Sequence, residues 1–232
     1  MPGAMWHPVR NYTLGGVVRP PRGQVVHIAE GSAAPAIRWA DNPASQESEY
    51  FVVGRGGAVT QLVGLEHMAW TQAQGNPEWI GVESEGYATG PLTDAQLDAH
   101  ARIFAWLHRR WPDAVPLRVA NDPSERGLGW HGMGGAAWGG HLGCPGRLIV
   151  AQLPEIVRRA TAIVEGAEMD VTQAHQLAEV AAFQEGKVYA LTGVKPPNPN
   201  FSTSAKHANW RAGYLSGCAE CKALGRTPPP EV

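Results

Sequence analysis

The sequence lacks the features that mark membrane-spanning, fibrous or nucleic-acid-binding proteins. It contains no run of about 18 apolar residues, so we expect no segment to insert into a membrane. Only 17% of its 232 residues are charged and the net charge is −2, which leaves no basic excess to attract nucleic acid. The composition also excludes collagen, coiled coils and low-complexity chains. The length of 232 residues allows one full domain with a smaller appendage.

Signals for export and for a disulfide framework are also missing. Residues 1–13 contain no basic segment followed by an apolar one, so we expect no signal peptide and synthesis in a cytoplasm. The three cysteines, Cys144, Cys218 and Cys221, leave at least one thiol free because their number is odd. Cys218 and Cys221 have no second C-x-x-C pair nearby. This favours a C-x-x-C motif without function over a zinc ribbon or a redox pair.

Glycine and tryptophan are abundant, at 28 and 9 residues. Such chains tend to have long ordered loops around a small sheet, often lining a groove. Short β-rich runs, separated by glycine and proline, predict the strands of this sheet. The predicted strands are 23–29, 50–54, 58–63, 79–83 and 116–120, with the second and third joined as a hairpin.

Three helices are predicted between or after these strands. The first runs from Ser32 to about residue 41, and the second over 93–111 with Thr93 and Gln96 as a capping box. The third begins at Pro154 and ends at Gly166. Beyond residue 166 the sequence predicts one amphipathic helix over 171–184 and an irregular tail. We therefore place a domain boundary near residue 166.

One glycine-rich loop, residues 121–146, concentrates residues that bind metals. His131, His141 and Cys144 lie within fourteen positions, and imidazole and thiolate are natural zinc ligands. His27, on the first predicted strand, is a candidate distant third ligand. The spacing matches no standard zinc finger, and a strand histidine is more often a core residue, so spacing alone leaves both interpretations open.

The order of several short motifs along residues 20–165 resembles the zinc-dependent N-acetylmuramoyl-L-alanine amidases of type 2. This family shares its fold with peptidoglycan recognition proteins. The version of the histidine and cysteine motifs found here particularly resembles endolysins of phages that infect actinobacteria. The motifs are Val25-Val26-His27, residues 49–57, Ala69-Trp70 with Gly75-Asn76, residues 80–83, Gly129-Trp130-His131 and Cys144-Pro145-Gly146.

The resemblance implies an α/β fold with a central mixed β-sheet flanked by helices, and a small, mostly helical or irregular C-terminal appendage. Residues 1–166 are then the zinc amidase catalytic domain. Residues 167–232 are an extension that is a candidate wall-binding module. The expected protein is a monomer without a nucleic-acid partner.

The resemblance also implies a Zn²⁺ site. The first and third ligands fall on His27 and Cys144. For the second we assign His131, because its Gly-Trp-His setting follows the strand predicted at 116–120. His141 then takes the position at which the family stabilises the oxyanion, although the two histidines can be exchanged between these roles.

Two carboxylates are candidates for the general base, because either can accept a proton from the attacking water. The family has its base on the Ile-Gly-Val-Glu strand or just before the hairpin strand. These positions hold Glu83, which we favour, and Glu49. Both also have the simpler interpretation of solvated acids.

The implied reaction is hydrolysis of the amide bond between N-acetylmuramic acid and L-alanine in bacterial peptidoglycan. We expect Trp70, Asn76 and Trp138 to contact substrate. Thr71 stands where the family often has a histidine, so one substrate contact differs here. A phage endolysin acting at the bacterial cell wall is the favoured role. A non-catalytic recognition protein and a bacterial autolysin or recycling amidase are the alternatives.

Overall fold

The structure is a computed structural model that describes residues 1–166, 190, 204–223 and 227–228. The chain divides into two compact units, Met1–Glu165 and Gly166–Val232. The described residues form eight strands: β1 Met5–Trp6, β2 Tyr12–Thr13, β3 Gly23–Ile28, β4 Phe51–Val53, β5 Val59–Gln61, β6 Met68–Ala69, β7 Trp79–Ser84 and β8 Gly127–Trp130. The helices are α1 Ala33–Asp41, α2 Asp94–Arg110, α3 Arg147–Val150, α4 over 153–166 and α5 Ser204–Ala223, with 3-10 helices at Ala73–Gly75 and His131–Trp138.

Six strands form one mixed sheet in the order β1-β5-β4-β7-β3-β8, and β2 pairs with β6 in a separate two-stranded sheet. The β4–β5 hairpin is antiparallel, whereas β3 is parallel to both neighbours. All residues of β3 and β7 are buried, as expected for central parallel strands covered on both faces. The expected α/β fold with a central mixed sheet flanked by helices is therefore confirmed.

Helix α2 covers one face of the sheet. Thr93 and Gln96 form the predicted capping box, and the apolar stripe from Leu97 to Leu107 is buried in the main core. His100 lies on the same buried side and contacts Gln24 of β3 and Ser84 of β7. Because side chains alternate along a strand, His27 and Glu83 point to the opposite face. That face carries the candidate site.

The strand predicted at 116–120 is wrong. In that segment only Val119 forms an isolated bridge, to Leu128, and the sixth strand of the sheet is instead β8, inside the predicted loop. The reason is steric. Gly127 has φ +135°, and a Cβ there would lie 2.2 Å from the carbonyl oxygen of Arg118. Only glycine allows this close approach, so the strand contains residues that normally indicate a loop.

In the second unit, the described residues 204–223 form helix α5, so the irregular tail predicted there is wrong for this segment. Trp210 and Tyr214 stack with ring centroids 5.7 Å apart and are buried, together with Ala190. The buried Cys221 donates a hydrogen bond to the Ala190 carbonyl. The helix predicted at 171–184 lies outside the described residues. None of the described helices is long and apolar enough to cross a bilayer.

Candidate metal centre and active-site cleft

His27 and Glu83 are neighbours at the centre of the sheet. The register of β3 and β7 pairs them directly, and both are buried on the face opposite α2. His27 therefore has a rigid backbone setting, fixed by parallel strands on both sides. Because side chains alternate along a strand, His27 points away from the face of the sheet that α2 covers.

The glycine-rich loop brings His131 and Cys144 to His27. His131 begins the 3-10 helix that follows β8, and its ring centroid lies 4.4 Å from that of His27. The Gly132 amide donates to the Cys144 carbonyl at 2.8 Å, which closes the loop. A Cβ at Gly132 would lie 2.7 Å from the Leu142 carbonyl oxygen, so the closure requires glycine.

The potential ligand atoms of His27, His131 and Cys144 all lie within 4.8 Å of one another. No other such group of three occurs among the residues that the structure describes. Two imidazoles and one thiol are the donor set that tetrahedral zinc prefers, with a fourth position for water or substrate. The residues present therefore fit a zinc ion.

Hydrogen bonds at the Nε2 atoms orient both imidazoles. His27 Nε2 lies 3.2 Å from Gln72 Oε1, and the amide nitrogen of Gln72 donates to the Gly75 and Trp79 carbonyls, which leaves Oε1 as the acceptor. His131 Nε2 lies 2.8 Å from the Trp138 carbonyl. Both acceptors require a proton on Nε2, so Nδ1 keeps the lone pair that a metal needs.

Burial controls the protonation of these groups. It lowers the pKa of His27 well below 6.5, aided by the neighbouring His131, and it also lowers the pKa of His131. Both imidazoles are therefore neutral at pH 7, as metal ligands must be. Burial and the nearby Glu83 raise the pKa of the Cys144 thiol to about 12. A bound cation opposes that shift, because it favours the thiolate.

The two candidate bases differ in position. Glu83 lines the same cleft as His27, His131 and Cys144, whereas Glu49 lines an adjoining pocket. Burial, and secondarily the charge of Glu49, raises the pKa of Glu83 well above 4.5. Burial also raises the pKa of Glu49 to about 8. Of the two buried carboxyl groups, Glu83 lines the cleft together with the candidate ligands, where it can take part in proton transfer.

The cleft has a volume of about 360 Å³. Three of its lining residues, Glu30, Gln46 and Ala73, have left-handed backbones with φ of 50°, 53° and 45°. They are the only non-glycine residues with positive φ in the described part of the chain. Such conformations are uncommon outside glycine and tend to cluster at functional sites.

Comparison with known protein families gives a match over the region that contains these residues. The profile of the N-acetylmuramoyl-L-alanine amidase family matches residues 18–147, more than half of the chain. The chain belongs to this family. The matched range includes all three candidate ligands and Glu83.

Individual relatives of the amidase family are more distant. N-acetylmuramoyl-L-alanine amidase A of Achromobacter lyticus is 31% identical over 103 residues, or 43% of this chain and 58% of that protein. The chain thus spans less than two thirds of that relative. Among solved structures, the Staphylococcus aureus hydrolase AmiA in complex with its ligand is 17% identical with a TM-score of 0.52, covering 71% of this chain and 86% of that chain. This likeness shows a shared fold.

The other predicted site residues of this amidase-family chain have varied surroundings. His141 is exposed on the cleft, with its ring centroid 4.8 Å from that of His131. Trp70 lines the cleft and its indole donates to Thr13.

The Trp138 ring is 3% exposed and packs against Trp79, so it offers little surface to a substrate. The Asn76 side chain does not line the cleft, because its oxygen accepts the backbone amides of residues 71 and 72.

Sequence reasoning missed the groups that orient the histidines. Gln72 is buried, and the Trp138 carbonyl reaches His131 from seven residues away. No motif indicates a backbone carbonyl. For Gln72 a signal exists, since it lies next to the Trp70-Thr71 motif and precedes a turn that Asn76 closes.

Proposed function

We propose that the chain is a zinc-dependent N-acetylmuramoyl-L-alanine amidase, which hydrolyses the bond between N-acetylmuramic acid and L-alanine of bacterial peptidoglycan. One observation carries the proposal: His27, His131 and Cys144 bring three ligand atoms within 4.8 Å, in a cleft that also contains Glu83. Family membership supports the reaction class.

His27, His131 and Cys144 would hold the zinc ion, with Gln72 and the Trp138 carbonyl orienting the two imidazoles. A zinc ion bound there supplies Lewis acidity, which polarises an amide carbonyl and makes water acidic near neutral pH. Cys144 must lose its proton to act as a ligand. The retained cysteine also favours an enzyme over a non-catalytic recognition protein.

Glu83 is the general base in this proposal. It accepts a proton from the attacking water and delivers it to the alanine nitrogen as the amide bond breaks. An adjacent cation favours the carboxylate form that a base needs, against the effect of burial. His141, exposed on the same cleft, donates a hydrogen bond to the oxygen that becomes negatively charged.

We also propose that the biological role is lysis of a bacterial host at the end of phage infection. The support is the order of the Trp-His, Gly-Gly-His and Cys-Pro-Gly motifs. An autolysin or recycling amidase would use the same chemistry. Lysis of actinobacterial cell walls, compared with walls of other bacteria, tests the proposed target.

The experiment treats purified peptidoglycan with the zinc-loaded protein and measures new N-terminal alanine, with mass spectrometry of the products. We expect about one zinc per chain and cleavage between muramic acid and alanine. Cys144→Ser should lose zinc and about a hundredfold or more of the rate, because even loss of a group that orients a ligand costs 10–100-fold.

Cys218→Ser is the matched control, since Cys218 lies on α5 and outside the ligand group. It should keep both zinc and activity. Zinc-free active protein, cuts in the glycan strand, or full activity in Cys144→Ser would each overturn the proposal.

A further inference from the structure

Trp138 is almost completely buried beside the candidate metal centre. Its indole packs in a small apolar cluster that is separate from the main core. The cluster includes Val25 of β3, which points to the same face of the sheet as His27. Because so little of the ring is exposed, any role of this side chain in the site must come from its contacts inside the protein.

Two glycines leave the space that the indole occupies. A Cβ at Gly134 would lie 2.0 Å from the Trp138 ring, and a Cβ at Gly75 would lie 2.6 Å from it. A side chain at either position would therefore displace the ring. Gly134 belongs to the 3-10 helix that Trp138 ends, whereas Gly75 ends the other one. The indole thus joins the two 3-10 helices beside the site.

The contact with Gly75 reaches His27 through Gln72. The amide nitrogen of Gln72 donates to the carbonyls of Gly75 and Trp79, at 3.3 and 3.4 Å. Trp138 packs against both of these residues, and its ring meets that of Trp79 edge-on with centroids 5.7 Å apart. The indole therefore holds in place the two carbonyls that fix Gln72. Gln72 in turn accepts from His27 Nε2.

Trp138 reaches the second imidazole through its backbone. Its carbonyl accepts a hydrogen bond from His131 Nε2 at 2.8 Å. The next two residues, Gly139 and Gly140, have φ of +88° and +78°, and glycine restrains the backbone less than any other residue. The packed indole is therefore the restraint that fixes the position of this carbonyl.

We propose that Trp138 is a positioning residue that orients both imidazoles together, His27 through Gln72 and His131 through its own carbonyl. This inference rests on the proposed function, because it assigns the two imidazoles to one zinc ion. Groups that orient metal ligands typically change metal affinity about 10–100-fold. Since one indole supports both orienting groups, the effects of losing Trp138 and Gln72 should not be independent.

The first test measures zinc affinity by competition with a chelator. Trp138→Ala keeps the backbone carbonyl, yet it should weaken zinc binding about tenfold or more, because both orienting groups lose their support. Trp138→Phe keeps a ring between the two glycines and should retain most of the affinity. In the double variant with Gln72→Leu, the loss should be smaller than the product of the two single losses.

Trp106→Ala is the matched control. Trp106 lies on α2 and packs edge-on against Phe51, on the face of the sheet away from His27. This variant also loses a large aromatic side chain, so it should lower the free energy of unfolding. It should nevertheless bind zinc as tightly as the unsubstituted protein.

The second test uses the zinc-free protein. ¹⁵N NMR of the histidine side chains distinguishes a proton on Nε2 from a proton on Nδ1. We expect the proton on Nε2 of both His27 and His131 in the unsubstituted protein, and a mixture of the two forms in Trp138→Ala. If Trp138→Ala does not fold, Gly75→Ala replaces it, because the added Cβ displaces the indole while Trp138 is kept.

Zinc affinity and histidine protonation unchanged in a folded Trp138→Ala, or in Gly75→Ala if that variant replaces it, would overturn the inference. Single losses that multiply fully in the double variant would do so as well. The amidase assay separates the two proposals. If the unsubstituted protein binds no zinc and releases no alanine, but Trp138→Ala changes the histidine protonation, only the proposed function fails. If it releases alanine and Trp138→Ala changes neither quantity, only the positioning role fails.

Discussion

His100 makes the stability of the folded protein sensitive to acid. It is fully buried on α2, where Gln24 Nε2 donates to its Nδ1 at 2.8 Å and its Nε2 donates to Ser84 Oγ at 2.7 Å. Burial lowers its pKa from 6.5 to about 3. The unfolded chain therefore takes up a proton at His100 before the folded protein does. This contribution to stability is complete above about pH 6.5 and is lost as the pH falls toward 3.

The size of the effect follows from the shift. One pKa unit corresponds to about 1.4 kcal/mol, so at pH 5 the folded state loses roughly 2 kcal/mol through His100 alone. His27 changes stability in the same direction, because its pKa is also lowered. A variant of His100 is needed to isolate its share.

Urea unfolding of the unsubstituted protein and of His100→Gln should be compared at pH 7 and pH 5. The variant is less stable at pH 7, and the difference should shrink by roughly 2 kcal/mol at pH 5, because only the unsubstituted protein loses the His100 contribution. His7→Gln, at an exposed position, should follow the unsubstituted protein at both pH values. A difference that is the same at both pH values would refute the assignment of acid sensitivity to His100.

Two further substitutions test groups that support the site. Gln72→Leu removes the acceptor that holds His27 Nε2, and it should weaken zinc affinity about 10–100-fold. Competition with a chelator measures this affinity. An unchanged affinity would show that Gln72 does not orient His27. Gly134→Ala places a Cβ 2.0 Å from the Trp138 ring and should lower the free energy of unfolding in urea by about 1–3 kcal/mol. Gly56→Ala is the control, because a Cβ there has no atom within 4 Å, and it should lower the free energy of unfolding by less than about 1 kcal/mol. Equal losses in the two variants would contradict the steric argument.

The elements that the sequence predicts well carry their own local signals. Helix α2 has a capping box and an apolar stripe, and β3 and β7 are short β-rich runs. β8 has no such signal, because contact with neighbouring backbone selects glycine at residue 127. The two-residue strands β1, β2 and β6 are too short to show a period. They depend on pairing with distant residues, which a local pattern cannot reveal.

In the candidate site, too, some groups can be recognised from the sequence and others cannot. His27, His131 and Cys144 are visible in the sequence because metal chemistry restricts the residue types and the motifs have a recognisable order. Gln72 and the Trp138 carbonyl are not visible, since their role depends on how the chain folds around the imidazoles. The resemblance also left Glu83 and Glu49 as alternatives. In the structure Glu83 lines the cleft, and it also lines the adjoining pocket that contains Glu49.

At Gln46 and Ala73, which line the cleft with left-handed backbones, thermal stability and a well-defined cleft wall favour different residues. Glycine at either position would adopt the same φ without steric cost, but it would also let the loop sample many other shapes. Selection for thermal resistance alone is therefore expected to enrich glycine at these two positions, which leaves the cleft wall less well defined. Selection for turnover should reject glycine at these positions, so selection for stability and selection for turnover favour different residues there.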